Sequence, residues 1–207
     1  MINPAEETTL PALAEYRFRR NFYTRPDGLM LHYVDEGQGP PVVMLHGNPT
    51  WSFLYRRLIA DLCGDYRCLA PDHMGMGFSS RPSLGQKVGE QFRSNSAETE
   101  QQRRSDVTRP HRGYGYRLAD RVADLDELMD HWQLKEPVHL VVHDWGGPIG
   151  LTWAVDHPDR VASVTVMNSG TRVPPDYHMP LKLALFKSFP VVGSFLAHDL
   201  NLFVQGT

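Results

Sequence analysis

The chain has 207 residues, of which 41% are hydrophobic and 22% are charged, and its formal net charge is −3. This composition is typical of one globular domain with a sizeable core, and it gives no reason to expect nucleic acid or an anionic membrane as a partner. The longest apolar runs, 137–142 and 161–167, are far shorter than the ~20 residues that a membrane span requires. Residues 1–13 lack the basic start and apolar stretch of a secretory signal, so we expect a cytoplasmic protein without a membrane span.

The chain contains two cysteines, Cys63 and Cys68. No second pair accompanies them, and their spacing is poor for a metal site. We therefore predict two buried free thiols, with no metal and no cofactor.

Short apolar segments alternate with segments of helical spacing along the chain. This alternation predicts an α/β fold with a mainly parallel sheet and helices on both faces. The predicted strands cover 29–34, 41–45, 66–70, 138–142 and 162–167. The predicted helices cover 51–62, 118–132 and 147–156. On the first helix, one side carries Phe53, Leu54, Leu58 and Leu62 and should face the core.

Two stretches depart from this alternation. Residues 83–112 are polar and charged, so they bury too little surface to offset the entropy of ordering, and we predict a flexible surface insertion. A regulatory or partner-binding role for this insertion stays open. After Gly170, proline-punctuated segments replace the strand–helix pattern. We predict a core over 1–169 that contains the insertion, and the start of a helical cap domain over 170–207.

The segment most informative about chemistry is 138–147, where a buried strand runs directly into a helix. Asp144 lies at the turn and is followed by Trp145 and two glycines. Such a sharp turn strains the backbone and presents one side chain above the sheet edge, while small residues let strand and helix approach closely. The helix N-terminus adds backbone N–H groups and a partial positive charge. The pattern predicts a nucleophile elbow that carries aspartate; the alternative is that Asp144 only caps the helix.

A second segment, 46–56, follows an earlier strand at the position expected for an oxyanion-hole loop. Its His-Gly-Asn-Pro-Thr run, the His-Asp-Trp-Gly-Gly elbow and the loop at 71–79 together resemble the haloalkane dehalogenase family. The resemblance covers nearly the whole chain apart from the insertion. It implies an α/β-hydrolase fold and a small hydrophobic substrate.

The resemblance also implies a mechanism. Asp144 would displace a halide from saturated carbon and form an alkyl-enzyme ester, which water then cleaves; serine would form an ether that water does not readily cleave. The Trp145 indole N–H and the Asn48 amide are implied as donors to the departing halide. A packing role for Trp145 and a turn role for Asn48 are the alternatives. Loop-shaping hydrogen bonds are the favoured interpretation for three further polar residues of these motifs, His46, Asp72 and His73.

Members of this family complete a triad with a histidine base near the C-terminus and an acid that orients it. Thr207 falls inside the expected cap region, so we expect the last strands, with the base and the acid, to be missing from this chain. One subfamily places its acid just after the strand 162–167, where this chain has Asn168. His178 and His198 are interpreted as surface residues of the cap. We expect this chain to stall after ester formation and to self-associate through the uncovered sheet edge.

Three alternatives to dehalogenation stay open. The segment 166–170 and the last residues of the chain look closest to the subfamily that contains β-lactone decarboxylases of olefin synthesis, which release carbon dioxide and an alkene. An epoxide hydrolase would need cap tyrosines as proton donors, and Tyr177 is the single tyrosine in the cap segment. A non-catalytic truncated product is a hypothesis of another class, favoured by the missing base.

Overall fold

The computed structural model describes residues 15–82 and 114–170, all of which belong to the first compact unit of the chain, Met1–Gly170. These described residues contain six strands: β1 (Asn21–Thr24), β2 (Met30–Glu36), β3 (Pro41–Leu45), β4 (Arg67–Pro71), β5 (Val138–His143) and β6 (Val161–Met167). The same residues contain three α-helices, α1 (Arg56–Leu62), α2 (Leu118–His131) and α3 (Gly146–Asp156), and two 3₁₀ helices, Ser52–Tyr55 and Pro158–Arg160.

The strands form one mixed sheet in the order β1-β2-β4-β3-β5-β6. The four strands β4, β3, β5 and β6 are parallel. At one side, β2 pairs antiparallel with β4, and β1 pairs antiparallel with β2. Because parallel strands end at the same edge, the loops that follow β3, β4, β5 and β6 converge there. In open α/β sheets this edge is where ligands bind.

Both faces of the central sheet are buried, because successive side chains of a strand point to opposite faces. On one face, Val43, Leu45 and Leu140 pack with side chains of α2 and α3, including the fully buried Trp153. On the other face, alternate residues of the same strands pack against the 3₁₀ helix and α1, where Ile59 is fully buried. The predicted α/β architecture with helices on both faces is therefore confirmed.

Helix α3 lies unusually close to the sheet at its first turn. A Cβ atom at Gly146 would lie 2.0 Å from the Leu45 carbonyl oxygen, so only glycine permits this approach. One turn further along, a Cβ at Gly150 would lie 2.8 Å from side-chain atoms of both Leu45 and Val142. The glycines after Asp144 thus set the distance between β3, β5 and the helix.

Two expectations need correction, and one strand was missed. The predicted helix 51–62 is split into the 3₁₀ helix and α1, and Leu54 is exposed rather than core-facing. A tertiary contact accompanies the split: the Tyr55 hydroxyl donates to the Leu45 carbonyl (2.8 Å), and Tyr55 and Ser52 are the buried residues of this turn. Strand β1 was not predicted. Cys68 is buried as expected, but Cys63 is partly exposed, and both thiols are free.

Strand β6 pairs with β5 and, among the described residues, with no other strand. Val164, Val166 and Met167 are exposed on it. None of the described helices is both long enough and apolar enough to span a membrane. The predicted insertion 83–112 and the predicted cap from Thr171 onward lie outside the described residues, so both stay predictions.

Candidate active site

Asp144 lies between the end of β5 and the start of α3, at the loop edge of the sheet. Its φ angle is +49°, in the left-handed region that non-glycine residues seldom occupy. The Gly147 N–H donates to the Asp144 carbonyl oxygen (3.0 Å) and closes the turn. A strained residue between a strand and a helix is the geometry of a nucleophile elbow, and such strain is concentrated at functional sites.

The Asp144 carboxylate faces the loop after β3. The main-chain N–H of Asn48 donates to Asp144 Oδ1 at 2.8 Å. A Cβ at Gly47 would lie 2.3 Å from both Asp144 Cβ and Oδ1, so the absence of a side chain at Gly47 makes room for the carboxylate. Within the described residues, Asp144 Oδ2 accepts no hydrogen bond and keeps its lone pairs available.

The structure brings Asp144 and Asn48 together through the main chain of Asn48. The resemblance implies the Asn48 side-chain amide as a donor to the departing halide, and it does not predict this contact of the main-chain N–H with Asp144. Asn48 is exposed, and Trp145, next to Asp144, is 45% exposed. No hydrogen bond between described residues engages the Asn48 amide nitrogen or the Trp145 indole nitrogen, so both donors can serve a ligand. No hydrogen bond or ring contact in this part of the chain joins Asn48 to Trp145.

Two buried histidines hold the loop that carries Asn48. The His73 main-chain N–H donates to His46 Nε2 (3.0 Å), and His73 Nε2 donates to the His46 carbonyl (2.8 Å). His46 Nδ1 contacts the Gly47 carbonyl at 3.0 Å and must be the protonated nitrogen, because a carbonyl can only accept. Burial lowers the pKa of His46, and burial together with the neighbouring imidazole lowers the pKa of His73 well below its ordinary value. His46 must be neutral in this arrangement, because its Nε2 accepts a hydrogen bond.

Asp72 fixes the next loop. Its carboxylate contacts His32 Nδ1 (2.8 Å) and accepts main-chain N–H donors from Ser52 (2.8 Å) and Phe78 (2.9 Å). Burial alone would raise the pKa of Asp72, but the hydrogen bond and attraction from His32 and the two N–H donors outweigh it and lower that pKa. Asp72 thereby connects the loops after β3 and β4. The interpretation of His46, Asp72 and His73 as loop-shaping residues agrees with this geometry.

Ser169 also borders Asp144, although no sequence pattern singles it out. Its hydroxyl donates to the Asp144 carbonyl oxygen at 2.5 Å, from the end of the neighbouring strand β6. The available signal was a run of small and polar residues, Asn168 to Gly170, at the carboxyl end of a strand beside the elbow. Among the described residues, no group of His, Cys, Asp or Glu side chains is arranged to hold a metal ion.

Comparison with known proteins agrees with this geometry. Residues 40–194 match the family model described as alpha/beta hydrolase fold. A cis-3-alkyl-4-alkyloxetan-2-one decarboxylase from Shewanella oneidensis is 37% identical over 187 residues, which is 90% of this chain and 50% of that protein. A haloalkane dehalogenase 2 from Mycobacterium tuberculosis is 36% identical over 154 residues, which is 74% of this chain and 43% of that protein.

Among solved structures, a haloalkane dehalogenase from Agrobacterium tumefaciens has a TM-score of 0.66 at 28% identity, over 94% of this chain and 57% of that one. The chain thus spans about half the length of the relatives it matches. The family match, the mixed sheet and the aspartate elbow agree. The chain belongs to the haloalkane dehalogenase-like family of α/β-hydrolases.

Proposed function

We propose that this chain carries the nucleophilic half of a haloalkane dehalogenase-type active site, in which Asp144 attacks a haloalkane. The observation that supports the proposal is the placement of the Asp144 carboxylate. It lies on a left-handed elbow against Gly47, with Oδ1 bound by the Asn48 N–H and Oδ2 without a hydrogen bond among the described residues. A residue that only capped α3 would instead direct its carboxylate to the helix N–H groups.

The first step needs no base, because a carboxylate attacks without losing a proton. Oδ2 forms a bond to the saturated carbon, the carbon–halogen bond breaks, and the electron pair leaves with the halide. The indole N–H of Trp145 and the amide of Asn48 are the donors proposed to stabilise this halide. Their exposure and their lack of partners among the described residues suit that role.

The second step is attack of water on the carbonyl carbon of the new ester. The Asn48 N–H already points at Asp144 Oδ1, so it would stabilise the negative charge that this oxygen gains. A base must activate the water, and no histidine among the described residues hydrogen-bonds to the Asp144 carboxylate. Without a base the step loses roughly 10²–10⁴ in rate. We propose that the alkyl-enzyme ester outlives its formation, because the residues described in the structure supply no such base.

Mass spectrometry of the chain after incubation with a 1-iodoalkane tests the proposal. We expect one alkyl group per chain, on the peptide that contains Asp144, with release of one equivalent of iodide. Asp144→Asn should abolish labelling, whereas Asp156→Asn, which alters an exposed carboxylate at the other end of α3, should not. Labelling at another residue, or none in the folded wild-type chain, would contradict the proposal.

A second candidate is decarboxylation of an oxetan-2-one, in which the ring divides into an alkene and carbon dioxide. The observation that favours it is the match to two proteins named as such decarboxylases, each 37% identical, over 90% and 86% of this chain. The same aspartate and donors would serve both reactions. Incubation with a cis-3,4-dialkyloxetan-2-one separates them: alkene formation that Asp144→Asn abolishes, without labelling by haloalkanes, would favour the decarboxylase.

A further inference from the structure

Two neighbouring parallel strands end in the same uncommon conformation. Asp144, after β5, has a φ angle of +49°, and Asn168, after β6, has a φ angle of +43°. The left-handed turn at Asn168 is followed by Ser169, whose hydroxyl donates to the Asp144 carbonyl oxygen. The end of β6 is thereby connected to the residue at the centre of the elbow.

The side chain of Ser169 also lies against Gly147. A Cβ atom there would lie 1.8 Å from Ser169 Oγ and 2.8 Å from Ser169 Cβ. Gly147 is part of α3 and does not have a positive φ angle, so its backbone conformation does not require glycine. The side chain of Ser169 occupies the space that a side chain at Gly147 would need.

The Asp144 carbonyl thus accepts two donors, the Gly147 N–H from the helix and the Ser169 hydroxyl from β6. The main-chain N–H of Asn48 binds the other end of the same residue, at Oδ1. The two donors to the carbonyl restrain rotation about the Asp144 Cα–C bond, and the Asn48 N–H restrains the carboxylate. Together these contacts limit the movement of the Cα–Cβ bond and hold the carboxylate against Asn48.

We propose that Ser169 is a positioning residue that holds Asp144 in its attacking conformation, and this inference rests on the proposed function of Asp144. Ser169 does not react, since its proton is committed to the Asp144 carbonyl. Loss of the Ser169 hydroxyl removes no reacting atom, but it lets the backbone at Asp144 relax and move the carboxylate. A misplacement of a reacting group by about 1 Å can cost on the order of 100-fold in rate.

The first test measures the rate at which a 1-iodoalkane labels Asp144, over a range of iodoalkane concentrations. For Ser169→Ala we expect the maximal rate to fall about tenfold or more, while the half-saturating concentration and the denaturation midpoint change little. Ser169→Thr keeps the hydroxyl and should restore the rate. Ser163→Ala is the matched control, because Ser163 is also on β6 but bonds to His139 Nδ1 (2.8 Å). Equal maximal rates for Ser169→Ala and wild type would overturn the inference.

The second test measures the role of Ser169 without any reaction of Asp144. It therefore remains valid if the wild-type chain is not labelled, and that outcome would count against the proposed function alone. Hydrogen exchange of the Gly147 amide should be roughly three- to tenfold faster in Ser169→Ala than in wild type or Ser163→Ala. Unchanged exchange at Gly147 would show that the hydroxyl does not hold the elbow.

A steric version of this test uses two substitutions. Gly147→Ala should lower the denaturation midpoint, and adding Ser169→Gly should recover most of that loss, because the added methyl group takes the space of the removed side chain. Additive effects of the two substitutions would contradict the contact from which the inference starts.

Discussion

Substitution of Gly47 by alanine should disable Asp144, the proposed nucleophile, while the fold survives. The new Cβ would lie 2.3 Å from Asp144 Cβ and Oδ1 and 2.6 Å from Cγ, whereas ordinary contact begins at 3.4 Å. The carboxylate or the loop must therefore move by about 1 Å, and the 2.8 Å hydrogen bond from the Asn48 N–H is lost with that movement. The backbone itself resists little, because Gly47 is not among the glycines with a positive φ angle.

A displacement of this size predicts labelling of Asp144 by a 1-iodoalkane that is about 100-fold slower than in wild type, equivalent to ~2.7 kcal/mol in the activation barrier. The assay is the time course of the alkylated species by mass spectrometry, together with urea denaturation of the same samples. Gly64→Ala is the matched control, since no atom lies within 4 Å of the added Cβ, and it should label at the wild-type rate. If Gly47→Ala also labels at the wild-type rate, the carboxylate that attacks is not the one packed on Gly47.

Three further predictions address the other parts of the structure. Folding lowers the pKa of His73, so the unfolded state binds the proton first as the pH falls. The free energy of unfolding should therefore fall by up to about 2 kcal/mol between pH 6.5 and 5. His73→Gln should flatten this dependence of the free energy on pH in urea titrations, and an unchanged dependence would refute the role given to His73. Replacement of Trp145 by phenylalanine should slow iodide release roughly ten- to a thousandfold, and unchanged release would exclude its indole as a halide donor. Deletion of residues 83–112 should leave the denaturation midpoint nearly unchanged, because the Tyr116 hydroxyl donates to the Pro82 carbonyl and already connects the flanking segments. A loss of several kcal/mol in the free energy of unfolding would show that residues 83–112 pack against the core.

The sequence by itself determined five of the six described strands and the position of the elbow at Asp144. Strand β3 was predicted with its correct bounds, Pro41–Leu45, because five consecutive buried residues form a run that turn residues terminate. The elbow at Asp144 was predictable for a similar reason. A buried strand, one polar residue and two glycines are local features, and a sharp strand-to-helix turn needs them in that order.

Features that depend on contacts between distant residues were decided by the tertiary structure. Strand β1 is short and half-buried, and it exists through its pairing with β2 rather than through a pattern of its own. The 3₁₀ turn before α1 depends on the Tyr55 hydrogen bond to the end of β3, which helical spacing cannot reveal.

The same distinction holds within the site. The Asn48 N–H meets Asp144 across 96 positions of sequence, and the Ser169 hydroxyl meets the Asp144 carbonyl across 25. Almost every residue has a main-chain N–H, so the residue type does not reveal which N–H meets Asp144. A single serine after a strand is common and does not indicate a role by itself. In the tertiary structure, the ends of the parallel strands converge at one edge of the sheet. This convergence brings the Asn48 N–H and the Ser169 hydroxyl next to Asp144.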